Sequence, residues 1–432
     1  MLIDTVVLVA FAVFVVLLLL DVPVPFAILG GSILYALCTG ENLMLFAQKM
    51  SLSFADVTMQ AIPAFLFVGI IMSEVGFTDK LFLCCESWLG HIKGGLAHVN
   101  VLGSMIFAGM SGSVLADCGG LGVIEVETMK KAGYNEGFSA ALTATSACIG
   151  PIIPPSINFL IWAYLASCSG VTMFAAGMIP GIALGLSLML MCVLLFHFTD
   201  LAAPRTRRFT MTERVKATLA ALPALGGPVI LLAGTLGGVF TTTECGAVAA
   251  VYCIVLAAVC KKLNWKMVKR VAKSTLSSSA MVMVLCAAGN VFNWMIINSG
   301  LMDIISDALM LLNSKFLILL VLNIIMLIMG CFVGSMQILI MMAPLLISLC
   351  GELDMSRIHM GCMAVFCLVI GSVTPPFAPA LFVTCQATKV PFKAAMKYTY
   401  ILIIPMVVTL LIITYVPAVT EFIPTLMGLN VS

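Results

Sequence analysis

Apolar stretches of roughly membrane-spanning length, about 20 residues, follow one another along almost the whole chain, separated by short polar or basic turns. Residues 6–20, 316–329 and 401–416 are nearly pure aliphatic and aromatic sequence. The pattern predicts transmembrane helices, with 6–20 kept as a first span rather than removed as a signal peptide. Two apolar segments are interrupted midway, by G-P-I-I-P-P-S at 150–156 and by G-S-V-T-P-P-F at 371–377. Proline lacks a backbone donor and its ring clashes with the preceding turn, so neither helix can run through unbroken. In hydrocarbon each freed backbone group must be met by protein, water or an ion. Two spans broken in matching places predict a polar site at mid-depth between two repeats, as in secondary transporters.

Composition agrees and removes other classes. Of 432 residues 62% are hydrophobic and 9% charged, against about 25% charged in soluble proteins. The net charge of +2 gives no footprint for nucleic acid. The 16 cysteines are scattered, without C-x-x-C or metal-ligand spacing, and read as small buried hydrophobes without a structural disulfide. The 30 methionines read as gap-fillers. The chain lacks H-E-x-x-H, a P-loop lysine and a Gly-rich nucleotide turn, and His91, His98, His197 and His359 are dispersed. No enzyme and no cofactor is expected; transport would be driven by an ion gradient.

Basic loops set the orientation, since Lys and Arg favour the cytoplasmic side. With the basic loop 205–216 inside, 219–239 goes out, 245–260 returns, the basic stretch 261–273 reads as an interfacial amphipathic helix, and 275–297 goes out. Lys389, Lys393 and Lys397 then also lie inside, and 300–352 starts and ends outside, as a re-entrant hairpin or as two full spans. Upstream, Lys130 and Lys131 fall inside, and Asp4, Glu41, Glu352 and Asp354 outside. Both termini are expected in the periplasm. Each half has five crossings and one hairpin-like segment, so the second half is inverted.

Spacing supports the repeat. Pro154 and Pro375 are 221 apart (375 − 154), Gly112 and Gly334 are 222 apart (334 − 112), and the turns at 21–25 and 240–244 are 219 apart (240 − 21). The fold class expected is an all-α polytopic membrane protein of two inverted repeats. The first covers 1–203 with a hairpin at about 97–129 and a broken helix at about 138–166. A cytoplasmic linker covers 204–218. The second repeat covers 219–432 with a hairpin at about 314–350 and a broken helix at about 361–388.

Candidate chemistry clusters at these features. Ser111, Gly112 and Ser113 offer hydroxyls and carbonyls in mid-hydrophobic sequence, which suit sodium or, equally, close helix packing. Asp117 favours function, since a carboxylate at that depth needs a cation, a partner or water. A break at Gly150, Pro151 and onward to Ser156 frees carbonyls for a cation and helix-N-terminal amides for an organic anion, with Thr145 and Asn158 nearby; a simple kink is the alternative. Gly334, Ser335, Gly371, Thr374 and Pro375 repeat the logic with no acidic counterpart of Asp117. Glu244 is expected to cap a helix with Thr241, Gly133-Tyr134 to form a turn, and Glu125, Glu127, Lys130 and Lys131 to form a solvated helix end.

The stretches G-M-S-G-S-V-L-A-D-C-G-G-L-G, S-A-C-I-G-P-I-I-P-P-S, G-V-F-T-T-T-E-C-G-A-V-A-A-V-Y and T-P-P, in that order, resemble the large membrane (M) subunit of tripartite ATP-independent periplasmic (TRAP) transporters over nearly the whole chain. The resemblance implies a sodium-driven importer of organic acids in the bacterial inner membrane. It implies a separate small four-span membrane subunit and a periplasmic substrate-binding protein. It also implies an elevator mechanism, in which a transport domain holding both hairpins and both broken helices slides against a scaffold. Sodium would then lie at Ser111, Gly112 and Ser113 with Gly150 and Pro151, and at Gly334 and Ser335 with Gly371, Thr374 and Pro375. Asp117, Ser156, Asn158 and Thr145 would lie toward substrate or ion. Two departures stand out: the family's second hairpin usually carries an acidic residue where Gly334 precedes Ser335, and Phe377-Ala378-Pro379 follows the second proline pair where a small residue and Gly are usual. A stand-alone sodium- or proton-coupled carboxylate permease and a non-transporting scaffold subunit are the competing functions.

Overall fold

A computed structural model describes residues 5–431, with the side chains of 109–111 outside the description. Asp4 and the Ser111 side chain therefore lie outside the described residues. The described chain is all helix and turn, in the order α1 (Thr5–Leu19), α2 (Val24–Thr39), α3 (Met44–Ala55), α4 (Val57–Val75), α5 (Phe77–Leu89), α6 (Gly95–Ser111), α7 (Val114–Gly119), α8 (Leu121–Lys131), α9 (Glu136–Ala147), α10 (Ile157–Leu165) and α11 (Gly170–Phe198). The second half continues as α12 (Met211–Leu236), α13 (Thr242–Val259), α14 (Trp265–Asn298), α15 (Leu301–Met310), α16 (Lys315–Phe332), α17 (Ser335–Glu352), α18 (Arg357–Gly371), α19 (Pro379–Thr388), α20 (Phe392–Tyr415) and α21 (Ala418–Leu426). Eight of the described helices are long and apolar enough to cross a membrane.

The halves match in the order and spacing of their main helices. The starts of α3 and α14 are 221 positions apart (265 − 44), those of α9 and α18 also 221 (357 − 136), and those of α11 and α20 222 (392 − 170). In each half two helices form a hairpin, α6 with α7–α8 and α16 with α17, and a helix is broken at a proline pair, α9/α10 and α18/α19. The chain is thus a polytopic α-helical membrane protein with two inverted repeats. Both proline pairs carry a cis peptide bond.

The basic segments between helices pack on neighbouring helix ends. The segment before α12 runs under the α5–α6 turn, where the Thr206 amide donates to the Gly90 carbonyl at 3.0 Å. Lys93 donates to the Phe196 carbonyl at 2.8 Å, and Arg270 pairs with Glu74 at 3.0 Å.

Two features differ from the sequence expectation. The helix expected from residue 219 begins at Met211, because Thr210 and Glu213 form a reciprocal capping box. The basic stretch 261–273 is no separate interfacial helix. From Trp265 it is the start of α14, a continuous 34-residue helix capped by Asn264, whose Oδ1 accepts from the Met267 amide. The same region of the first half is cut into α3 and α4 at Asp56, whose carboxylate accepts the Thr58 and Met59 amides and so starts a new helix. The expected cap at α13 is present: the Thr241 amide donates to Glu244 at 2.8 Å and the Glu244 amide to Thr241 Oγ1 at 3.3 Å.

Candidate functional site at the hairpin tips and broken helices

Each hairpin tip lands on a break. Gly112 turns the first tip with φ +58°, a conformation that glycine adopts without strain. A Cβ there would stand 3.3 Å from the Pro155 carbonyl oxygen, so the first tip touches the first break. In the second half Gly330 and Gly371 cross with almost no room: a Cβ on Gly371 would stand 2.7 Å from the Gly330 Cα. The second hairpin therefore packs on the second break, and Cys331 Sγ reaches toward the Pro375 carbonyl at 3.9 Å.

The two repeats also meet each other. Asn158, in the first turn of α10, donates to Ser335 Oγ at the second hairpin tip, 3.4 Å away. Cys148, where α9 ends, donates through Sγ to the Val369 carbonyl near the end of α18, at 3.5 Å. One region thus brings together the first break, the second break and both tips. The N-terminus of α10 faces into it, and the first amides of a helix have no intrahelical acceptor. That is the local chemistry that holds an anion.

Asp117 is buried, 2% exposed. Its carboxylate lies against the backbone of Gly150, where a Cβ would stand 2.5 Å from Oδ2. The structure therefore brings Gly112 to Pro155 and Asp117 to Gly150 within the first repeat, and Asn158 to Ser335 across the two repeats. Ser156 serves the break itself: its hydroxyl donates to the Pro151 carbonyl and accepts the Phe159 amide at 3.3 Å, capping α10. Thr145 stays within α9, donating to the Ala141 carbonyl at 2.9 Å. Thr374 likewise donates to the Ile370 carbonyl at 2.8 Å. Gly334 caps α17, and Ser113 opens α7.

Two sets of residues escaped the sequence reading. Glu125 is not part of a solvated end. It is 1% exposed and lies on the buried stripe of α8 with Leu121, Gly122, Val126 and Met129. The helical spacing of that stripe was the available signal; the nearby lysines masked it. Asn100 donates to Glu125 Oε2 at 2.9 Å and toward Thr143 Oγ1 at 2.6 Å, while Ser146 donates to Asn100 Oδ1 at 2.7 Å. The second set lines a cleft of about 520 Å³ between Lys49 of α3, Leu165 of α10, Asn290, Asn293 and Trp294 of α14, and Pro344 of α17. Asn290 bridges its walls, donating to Ser53 of α3 at 2.6 Å and to the Tyr164 hydroxyl of α10. Only folding brings Lys49 and Asn290 together, so no linear motif announces them.

Comparison with known proteins places this arrangement. Residues 11–419 match the family model described as the tripartite ATP-independent periplasmic transporter, DctM component. The chain is 32% identical over 414 residues to the sialic acid TRAP transporter large permease protein SiaM of Vibrio cholerae, covering 95% of this chain and 96% of that protein. It is 32% identical over 404 residues to the C4-dicarboxylate TRAP transporter large permease protein DctM of Pseudomonas aeruginosa, covering 93% and 94%. It is 30% identical over 402 residues to the 2,3-diketo-L-gulonate TRAP transporter large permease protein YiaN of Escherichia coli, covering 92% and 94%. Among solved structures the YdaH transporter of Alcanivorax borkumensis superposes with a TM-score of 0.59 at 14% identity over 88% of each chain, a likeness of fold alone. The twin breaks and tips thus sit in a chain matched over nearly its whole length, and it belongs to the DctM component family of TRAP transporters, as a membrane permease and not an enzyme.

Proposed function

We propose that this chain is the sodium-coupled permease subunit that imports organic acid anions across the bacterial inner membrane, with both termini in the periplasm. A periplasmic binding protein delivers the anion, and a small four-span subunit completes the membrane complex. The observation that carries the reading is the contact of Asn158 with Ser335, which draws the tip of one repeat onto the helix N-terminus of the other. An anion can be held there by amides and hydroxyls, and sodium by the hydroxyls and carbonyls of the Gly112 and Gly334 turns and the breaks beside them. Lys49 in the cleft adds a positive charge on the approach. The relatives' named substrates, sialic acid, a C4-dicarboxylate and 2,3-diketo-L-gulonate, share a carboxylate, and that group is the class proposed. Movement is of the elevator kind: hairpins and broken helices travel together, and the bridge from Asn290 to Tyr164 is made and broken as they pass the scaffold.

The test is uptake by proteoliposomes holding this chain and its small subunit. Uptake is expected only when loaded binding protein and an inward sodium gradient are both present. Equal uptake without the binding protein would instead identify a stand-alone permease, and indifference to sodium would remove the coupling. Asp117→Asn is expected to lower sodium-driven uptake by about tenfold, equivalent to roughly 1.4 kcal/mol, with the subunits still co-purifying. Unchanged uptake would make Asp117 structural.

A further inference from the structure

The base of the first hairpin holds a carboxyl group that neither the tips nor the breaks use. Glu125 Oε2 accepts from Asn100 at 2.9 Å, whereas Oε1 is buried with no hydrogen-bond partner among the described residues. Oε1 lies against α6, where a Cβ on Gly103 would stand 3.2 Å from it. Around Glu125 the polar side chains form one closed set. Asn100 also donates toward Thr143, Ser146 donates to Asn100, and Ser104 shares a hydrogen with Ser146 at 3.0 Å. Asn100, Ser104, Glu125, Thr143 and Ser146 are all nine-tenths or more buried.

No cation is at hand. Among the described residues Glu125 forms no ion pair; the nearest lysine in sequence, Lys130, pairs with Glu136 at 3.7 Å. The titratable groups acting on Glu125 are Asp117 of α7, itself acidic, with Cys118 of α7 and Cys85 of α5. Cys385 of α19 acts on Cys118. From α6 and α9 come the neutral Asn100 and Thr143, and His98, two residues before Asn100, points about 200° away around α6. A buried carboxylate without a counter-charge is strongly disfavoured. A metal ion does not fit the oxygens present. Asn100 Oδ1 is taken by the Ser146 hydroxyl, so its NH2 group must face the carboxyl, and donor hydrogens repel a cation.

We propose that Glu125 is a proton site, separate from the sodium sites at the tips, which is loaded while the first hairpin is seated on α9 and whose unloading loosens that hairpin. The carboxyl takes the proton on Oε1 and keeps Oε2 as acceptor for Asn100. Loss of the proton places a charge between α6, α8 and α9 that water must enter to solvate, so the three helices part. The inference stands whichever ion drives transport.

Infrared spectroscopy of the complete chain with its small subunit tests it directly. The wild type is expected to show the carbonyl stretch of a protonated carboxylic acid at neutral pH, lost in Glu125→Gln and lost from the wild type at alkaline pH. Thermal stability should fall in the wild type from mildly acidic to alkaline pH, and less steeply in the Gln variant, which cannot ionise. Should the Gln variant not fold, Asn100→Ser supplies the second handle, because removing the donor on Oε2 should move the frequency of the same band. Absence of the wild-type band at every pH would overturn the proposal, as would a band that appears only when sodium is withdrawn, which would make Glu125 a metal ligand. A Gln variant with the wild-type fall in stability would overturn the loosening.

Discussion

The two breaks share a backbone course and differ in their surroundings. From Ser146 to Asn158 the first is buried at nearly every position, with Ile153 half-buried, and carries Asp117 against Gly150. The second opens toward its surroundings: Pro376 is exposed and Phe377 is 60% exposed. From Phe316 to Gly351 its hairpin carries no charged residue, where the first holds Asp117 and Glu125. The repeat therefore preserves the geometry of tip on break and has let the chemistry diverge. One half is closed around two buried acids, and the other is lightly covered and held by glycine packing.

The largest expected effect would break that contrast at the glycines. Gly371→Ala places a methyl group 2.7 Å from the Gly330 Cα, and backbone cannot rotate aside. We expect a loss of stability of about 1–3 kcal/mol or more, read as a drop in the thermal midpoint and in yield. Gly150→Ala meets a side chain, the Asp117 carboxylate at 2.5 Å. It should spare folding more and depress sodium-driven uptake more. If the two variants behaved alike, the division between packing and chemistry would fall.

A smaller effect is expected at the seam between repeats. Alanine at Asn158, at Ser335 and at both should give a coupling energy of about 0.5–1 kcal/mol in a double-mutant cycle on substrate-dependent stabilisation, because the 3.4 Å contact is a weak neutral hydrogen bond. Strict additivity would separate the two repeats energetically. The smallest effect belongs to Phe377→Ala. This exposed ring tilts on Phe332 with centroids 4.9 Å apart, and the change should stay within about 0.5 kcal/mol of wild-type stability. A larger loss would show that a partner or substrate covers the second break.

The fold was legible because proline and glycine speak locally: Pro154-Pro155, Pro375-Pro376, Gly112 and the basic turns each force a backbone event wherever they stand. The joining of the repeats was less so. Asn158 and Ser335 were both picked out, yet for different ligands, because a contact across 177 residues leaves no spacing to read. Glu125 was misread for a related reason, since a carboxylate five residues from a lysine looks the same in sequence whether the helix presents it to solvent or to Asn100. The continuity of α14 was missed because its polar start resembled a surface helix, and the Asn264 cap that launches it sits only one residue ahead.

At about 1.5 Å per residue the 34 residues of α14 make a rod of roughly 51 Å, against a hydrocarbon layer of about 30 Å. It must lean or protrude, and Lys266, Lys269, Arg270 and Lys273 at one end suit the phosphate layer of anionic lipids. Seventeen residues past Lys273 (290 − 273), the same rod carries Asn290, whose side chain grips Ser53 and Tyr164. Bilayer thickness and headgroup charge would then act at the cleft wall through a single lever, so uptake compared in thin and thick, neutral and acidic vesicles would measure how far the lipid itself sets the mouth of the transporter.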